Sequence, residues 1–232
     1  MNKFFLQIWN KKNIGINNSR SFNEIVGHTD IKMILKNAII SKKPVHILLV
    51  GPPGSAKTMF LVEINRLLKE SLFTVGSNTS KAGLINQLFD VRPRFVLMDE
   101  LEKMNRNDQT SLLHLMETGI ISESKIGKTR QMSLSCWVFA TANSCKNIIE
   151  PLLSRFVVLE IGEYSFEEFK QIAICILKNE KLEEPRAINI AEQVWHELGS
   201  RDVRDVVKVA RLSRDSDVLS IVGILKSHFK KT

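Results

Sequence analysis

The chain of 232 residues is 44% hydrophobic and 25% charged, which are the proportions of an ordinary globular protein. No apolar run approaches the roughly 20 residues needed to cross a bilayer, and the N-terminal ten residues are too short and too interrupted for a secretory signal, so we expect a cytoplasmic protein that has no membrane partner. The net charge of +8 lies mostly in residues 1–43, with eight Lys or Arg against two acidic residues, and suits either contact with nucleic acid or simple solubility.

The N-terminal residues 1–20 end in a polar stretch and are predicted to be an arm ahead of the first folded element. Thr29 then begins a helix, because apolar residues recur after it at helical spacing. The short segment before this helix contains Ile25 and Val26.

Residues 51–58 read Gly-Pro-Pro-Gly-Ser-Ala-Lys-Thr and join an apolar run to a helical pattern. A glycine-rich turn between a strand and a helix presents backbone N–H groups and the positive end of the helix dipole to one point, which suits a polyphosphate. Lys57 is expected to reach the terminal phosphates, and the Thr58 hydroxyl to hold Mg²⁺. Ala56 stands where the usual pattern has a second glycine, and an ordinary turn remains the alternative. The predicted nucleotide-binding loop consists of Gly51, Pro52, Pro53, Gly54, Ser55, Ala56, Lys57, Thr58 and Met59.

Two further apolar strands end in polar side chains. The strand at 95–98 runs into Asp99 and Glu100, and the strand at 137–140 is followed by Thr-Ala-Asn, ending at Asn143. Fully apolar strands lie in the middle of parallel sheets, and such sheets bind ligands at the carboxyl ends of their strands. The alternation of strands and helices therefore predicts an α/β fold with a parallel sheet. Residues 120–126 and 130–134, around Gly-Lys-Thr at 127–129, predict a β-hairpin.

From Ser165 onward only helical periodicity is present. Ser165 and Glu168 form a capping-box pattern, Gly199 is expected to end the second helix, and Ser200 to cap a third. We therefore predict three parts: an N-terminal arm (1–20), an α/β nucleotide-binding domain (21–164) and a helical lid domain (165–232).

A phosphate loop, a strand ending in Asp-Glu and a strand ending in Thr-Ala-Asn, in this order, resemble the AAA+ ATPases over residues 22 to about 211. The resemblance implies a P-loop fold with a five-stranded parallel sheet flanked by helices, followed by a small helical lid. It implies ATP and Mg²⁺ as cofactors, hydrolysis of ATP to ADP and phosphate, and an adenine pocket lined by Ile25 and Val26.

The same resemblance implies a role for each polar residue. Asp99 would hold Mg²⁺ through its water shell, Glu100 would activate the attacking water, and Asn143 would position that water and sense the γ-phosphate. Arg155 would contribute positive charge to ATP bound by a neighbouring subunit, which implies a homo-oligomer with a hexameric ring as the precedent. Arg201 and Arg204 are both expected in the first turn of a lid helix, where either could contact the phosphates, with Arg204 preferred.

The hairpin and Ala56 make the chain similar to the group of AAA+ proteins that carry a hairpin before sensor 1, namely the RuvB, MCM and MoxR-like families. The opening at 21–27 and the His-Ile-Leu-Leu at 46–49 are most similar to RuvB, the Holliday-junction motor. The winged-helix domain of RuvB and the N-terminal domain of MCM are not recognised, so a minimal module is expected.

Two classes of function follow. A nucleic-acid motor would grip phosphates through basic residues of the hairpin and of the loop after the second strand, although lysines on a hairpin can also serve only to prevent edge pairing. The alternative is a remodeller of protein complexes like the MoxR chaperones, or an ATP-switched loader, and an adaptor protein is expected in either case. The candidate nucleic-acid contacts are Lys81, Lys125, Lys128 and Arg130.

Overall fold

The computed structural model describes Phe22 and residues 25–125 and 128–228, with the backbone alone for residues 124, 125 and 128. The predicted arm and the hairpin tip at 126–127 lie outside these residues. The strands are β1 (Ile47–Val50), β2 (Ser71–Val75), β3 (Phe95–Asp99), β4 (Ile120–Lys125), β5 (Lys128–Ser133), β6 (Trp137–Ala142) and β7 (Val157–Glu160). The helices are α1 (Thr29–Ile39), α2 (Lys57–Leu67), α3 (Lys81–Val91), α4 (Arg106–Thr118), α5 (Glu150–Leu153), α6 (Phe166–Asn179), α7 (Glu184–Glu192), α8 (Val203–Leu212) and α9 (Val218–His228). None of the helices described is both long and apolar enough to span a membrane.

Five parallel strands form the main sheet in the order β2-β3-β6-β1-β7, which confirms the predicted five-stranded parallel sheet. The insertion of β6 between β1 and β3 brings three carboxyl ends together, since Val50 pairs with Ala142 and Met98 with Ala140. The loops that follow β1, β3 and β6 therefore leave the sheet side by side.

The central strands are apolar along most of their length, with Asp99 and Thr141 as polar residues near the carboxyl ends of β3 and β6, because both of their faces are covered. Leu48, Val96 and Val138 pack into a core cluster on one face, whereas their neighbours Leu49 and Leu97 pack into a second cluster. Successive side chains of a strand point to opposite faces of the sheet, so a strand covered on both faces needs an unbroken apolar run.

The predicted hairpin is present as the antiparallel pair β4–β5, whose register runs from Ile120 opposite Ser133 to Lys125 opposite Lys128. The strand β5 begins two residues earlier than predicted. Gly119 precedes β4 with a φ of 66°, and a Cβ at this position would lie 2.9 Å from the Leu134 carbonyl oxygen, so glycine suits both the backbone conformation and the close approach.

Contacts within the chain divide it into two units, residues 1–51 with 56–161 and residues 52–55 with 162–232. In the second unit the predicted capping box is confirmed at the start of α6, where the Ser165 hydroxyl and the Glu168 carboxylate each accept the other's backbone N–H. The predicted cap at Ser200 is wrong. The Asp202 side chain caps α8 by accepting from the N–H of Arg204 at 2.9 Å, while the Ser200 hydroxyl donates to Asp205.

His46 lies just before β1 and is largely buried. Its Nδ1 accepts a hydrogen bond from the Val138 N–H at 3.1 Å, and its ring meets the Phe156 ring edge-on at 6.4 Å between centroids. Burial lowers the pKa of His46 to about 4, against 6.5 for an ordinary histidine, because the interior disfavours the charged imidazolium.

The lowered pKa of His46 predicts a loss of stability in mild acid. The unfolded chain takes up a proton near pH 6.5 and the native chain only near pH 4, so the contribution is fully present above pH 6.5 and is lost as the pH falls to about 4. We expect the free energy of unfolding to drop by on the order of 2–3 kcal/mol across this window from this group.

Urea unfolding of the wild type and of His46→Gln, from about pH 7.5 to about pH 4, isolates this term. The glutamine keeps a hydrogen-bond acceptor but has no proton to gain, so the variant should show the shallower pH dependence. Equal slopes in the two proteins would contradict the assignment.

Candidate nucleotide-binding site

The loop between β1 and α2 contains two residues in the left-handed region, Gly54 with φ 81° and Ala56 with φ 62°. A non-glycine residue in this region costs about 1–2 kcal/mol, which explains why glycine is the usual residue at the position of Ala56. Ala56 is also the N-cap of α2 and has no polar side chain to bond the first N–H groups of that helix. Such a helix N-terminus is suited to an anion.

Lys57 is the first residue of α2 and is buried despite its charge, with 7% of its surface exposed. Its Nζ donates to the Gly51 carbonyl at 2.7 Å. This hydrogen bond keeps the ammonium group beside the loop and near the N-terminus of α2. A positive group in this position is suited to contact a phosphate bound there.

Thr58 and Asp99 are brought together by α2 and β3. The Thr58 Oγ1 lies 3.0 and 3.1 Å from the two carboxylate oxygens of Asp99. Thr141 of β6 adds a third connection, since its buried hydroxyl donates to Asp99 and accepts the Glu100 N–H at 3.0 Å. Sequence reasoning missed this role of Thr141, for which the signal is a hydroxyl residue on an otherwise apolar strand.

The Thr58 and Asp99 side chains fit a magnesium ion. Both offer oxygen, and Mg²⁺ is typically bound by one or two carboxylates, with substrate phosphates and water completing its octahedron. Across the described ranges, no group of three or more His, Cys, Asp or Glu could hold a metal by itself. The pair therefore suits a cation that arrives with a nucleotide.

Glu100 follows β3 with a φ of 55°, a strained conformation for a residue with a side chain. Its carbonyl lies so close to Gly76 that a Cβ there would be 2.3 Å from the oxygen. The carboxylate accepts from Lys103 Nζ at 2.7 Å and is about one third exposed. The hydrogen bond from Lys103 to this carboxylate raises the pKa of Lys103.

Asn143 follows β6, and both of its donors bind one oxygen of Glu102. The backbone N–H lies 3.0 Å and Nδ2 lies 2.8 Å from Glu102 Oε1. The other oxygen, Oε2, is buried and has no hydrogen-bond partner among the described residues. Sequence reasoning did not identify Glu102, because nothing in the local pattern indicates that the second glutamate after β3 turns toward β6.

Arg155 lies at the amino end of the parallel strands, opposite to the carboxyl end from which the phosphate loop leaves, because β7 begins at Val157 and runs parallel to β1. Its guanidinium binds the Glu117 carboxylate through Nε at 3.1 Å and through a second nitrogen. About half of the Arg155 side chain is exposed. Of the two residues predicted to line an adenine pocket, Ile25 is buried in the core and Val26 is half-buried.

In the C-terminal unit the two candidate arginines differ. Arg201 precedes α8, where its guanidinium lies 3.7 Å from the centroid of the Trp195 ring and donates to the Trp195 carbonyl at 2.9 Å. Arg204 lies in the first turn of α8, is about two-thirds exposed and binds Asp202. The prediction that both lie in the first turn is therefore wrong for Arg201, whose side chain is held by a tryptophan of its own unit.

The four basic residues predicted to contact nucleic acid lie in different surroundings. The backbone positions of Lys125 and Lys128 form the last described pair of the hairpin, and Lys81 is exposed at the start of α3. Arg130 instead turns back onto α3, with its guanidinium 4.2 Å from the Phe89 ring and bonded to Glu123 and to Asn86. Its contacts anchor the hairpin to the body of the domain.

The chain is similar to proteins of known family and structure. The family model described as "ATPase family associated with various cellular activities (AAA)" matches residues 47–163. The solved structure of the Thermotoga maritima RuvB Holliday junction branch migration motor superposes with a TM-score of 0.68 at 20% identity, over 91% of this chain and 75% of that one.

The curated relatives include the DNA replication licensing factor MCM2 of Oryza sativa subsp. indica, 26% identical over 84% of this chain and 24% of that protein. The Mcm2 licensing factor of Drosophila melanogaster is 30% identical over 62% of this chain and 21% of that protein. The chain thus spans about a quarter of the length of these relatives. The family match, the sheet order and the cluster at the carboxyl ends of β1, β3 and β6 agree, and the chain belongs to the AAA family of ATPases.

Proposed function

We propose that the protein hydrolyses ATP to ADP and phosphate with Mg²⁺, at interfaces between identical subunits, and uses the energy to move or remodel nucleic acid. The observation that carries the ATPase part is the network in which the Thr58 and Thr141 hydroxyls both contact the Asp99 carboxylate, beside Lys57 and Glu100. Phosphoryl transfer needs little beyond positioning and charge stabilisation, and this set of groups can supply both.

Each group has one task in this proposal. Lys57 and the start of α2 bind the β- and γ-phosphates, and Thr58 with Asp99 would hold Mg²⁺, which when bound neutralises charge on the phosphate oxygens. When ionised, the Glu100 carboxylate can only accept hydrogen bonds. It therefore accepts a hydrogen bond from the attacking water, orients this water toward the γ-phosphate and takes up the proton that the water loses. Asn143 provides a second contact to that water.

Charge on the far side of the γ-phosphate comes from another subunit. Arg155 lies at the amino end of the strands, away from its own phosphate loop at the carboxyl end, so it suits the nucleotide of a neighbour in a ring, for which six subunits are the proposed number. Arg204 is the proposed lid contact to the phosphates, because Arg201 is engaged by Trp195.

The nucleic-acid part rests on the hairpin. Two lysines, Lys125 and Lys128, lie opposite each other toward its tip, and Lys81 is a third candidate. The names of the relatives, a Holliday junction branch migration motor and DNA replication licensing factors, point to DNA as the polyanion. Targeting would come from a partner protein.

A salt titration tests this proposal. We expect DNA to stimulate ATP hydrolysis and its affinity to fall steeply between about 50 and 200 mM salt, because lysines that contact phosphates release counterions. Removing two such contacts in Lys125→Ala/Lys128→Ala should reduce the slope of log K against log salt by about 2.

The matched control is Lys69→Ala/Lys178→Ala, which removes the same charge from two exposed positions in other parts of the chain and should keep the wild-type slope. If DNA and RNA neither bind at low salt nor change the rate of hydrolysis, the motor proposal fails. A remodeller of protein complexes or an ATP-switched loader then takes its place.

A further inference from the structure

Glu102 holds Asn143 by two hydrogen bonds that converge on one oxygen atom. Glu102 lies in the short turn after β3, and Asn143 follows β6, so the contact joins two neighbouring strand ends across 41 residues of sequence. Because the backbone N–H is also bound, the main chain at Asn143 is fixed together with its side chain.

A carboxylate in this position determines which way the amide faces. An ionised Glu102 has no proton to donate, so only the Nδ2 end of Asn143 can face it, and the Oδ1 end is directed away. Without such a partner an asparagine amide can turn over at little cost and present either end.

The second oxygen of Glu102 indicates that the arrangement is not optimised for stability. Oε2 is buried and lacks a hydrogen-bond partner in the described part of the chain. A buried polar atom without a partner costs free energy and calls for a reason to be there. Orientation of Asn143 is such a reason.

We propose that Glu102 is a positioning residue that fixes the amide of Asn143, so that the Oδ1 of Asn143 accepts a hydrogen bond from the attacking water. The inference rests on the proposed ATPase function and states which atom of Asn143 contacts the attacking water. Asn143 then acts on the water through its oxygen, and its amide nitrogen is not available to the γ-phosphate.

Exchanging the carboxylate of Glu102 and the amide of Asn143 tests which end of Asn143 faces the water. In Asn143→Asp the introduced carboxylate still offers an oxygen to the water but faces Glu102, and the repulsion should lower kcat by about 100-fold. Glu102→Gln alone should lower kcat by about tenfold at unchanged KM for ATP, because the amide of Asn143 can then turn over and an interaction made only in the transition state is weakened.

The double variant Glu102→Gln/Asn143→Asp is the decisive one. The introduced glutamine donates to the introduced aspartate, whose other oxygen stays with the water, so the double variant should hydrolyse ATP about tenfold faster than Asn143→Asp alone. The control Glu70→Gln/Asn143→Asp removes an acidic group at the amino end of β2, away from the carboxyl ends where Asn143 lies, and should give no rescue. If Asn143 worked by donating to the γ-phosphate, an aspartate would repel it, and the swap would stay as slow as Asn143→Asp.

A readout that needs no catalysis accompanies the kinetics. The urea midpoint of Asn143→Asp should lie below that of the wild type and should be raised again by Glu102→Gln, since the like charges are then removed. Absence of recovery in either the urea midpoint or kcat overturns the inference. Failure of the proposed function is seen separately, as a wild-type protein that neither binds a fluorescent ATP analogue nor hydrolyses ATP.

Discussion

Replacing Glu100 with glutamine should yield a protein that binds ATP and does not hydrolyse it. The two side chains have nearly the same shape, but the amide cannot take a proton from water and presents an N–H₂ group where the water needs an acceptor. Loss of a positioned general base costs about 100-fold or more in kcat. Binding rests on Lys57 and the loop, so the affinity for ATP should change little.

Single-turnover hydrolysis and the affinity for a fluorescent ATP analogue check this result. The matched control is Glu70→Gln, the same chemical change at an exposed residue next to the amino end of β2, which should retain wild-type turnover. Unchanged hydrolysis in Glu100→Gln would mean that another group activates the water, and Glu102 would be the first candidate to test.

Arg155→Ala should also abolish turnover, through the neighbouring subunit. An arginine that meets the γ-phosphate in the transition state is worth about 10³–10⁵ in rate. In its own subunit the described ion pair of Arg155 is with Glu117 on a half-exposed surface, and exposed ion pairs contribute about 0–1 kcal/mol to folding. A 1,000-fold loss of rate corresponds to about 4 kcal/mol in the activation free energy, which is more than the loss of an exposed ion pair can explain. Such a loss of rate in a normally folded variant therefore shows that Arg155 acts in catalysis.

Mixing two inactive variants shows whether Arg155 acts in trans. Lys57→Ala removes the phosphate contact but keeps the arginine, whereas Arg155→Ala keeps the phosphate contact. In a randomly mixed ring about a quarter of the interfaces combine an intact Lys57 with an intact Arg155, so the mixture should recover measurable hydrolysis. Arg214→Ala, at another exposed position, should be active alone. No recovery on mixing, with oligomers present, would place Arg155 in the site of its own subunit or remove it from catalysis.

Much of the fold could be predicted from the sequence because its signals are local. The apolar runs at 47–50, 95–98 and 137–140 indicate strands covered on both faces, and the hairpin is indicated by two strand segments that flank Gly-Lys-Thr. The capping box at Ser165 and Glu168 involves residues only three apart. The phosphate loop is equally local, since one strand, one turn and one helix contain all of its residues.

The order of the strands decided which polar residues meet. Insertion of β6 between β1 and β3 puts the hydroxyl of Thr141 on Asp99 and the donors of Asn143 on Glu102. These contacts join residues about 40 positions apart, and no periodicity or propensity specifies such a distance along the chain.

The contacts of polar and charged side chains could not be predicted from the sequence either. Arg130 was expected near the hairpin tip and instead packs on Phe89. Arg201 was the less favoured of two candidates for a phosphate contact and lies over Trp195, and Asp202 rather than Ser200 caps α8. A flexible side chain takes the best partner within its reach, and that partner is set by packing. The sequence by itself determined the elements, the phosphate loop and the chemical types of the site residues, because these follow from neighbours along the chain. The tertiary structure decided their partners, because each partner comes from a different strand or helix and is brought there only by the sheet and the helices packed on it.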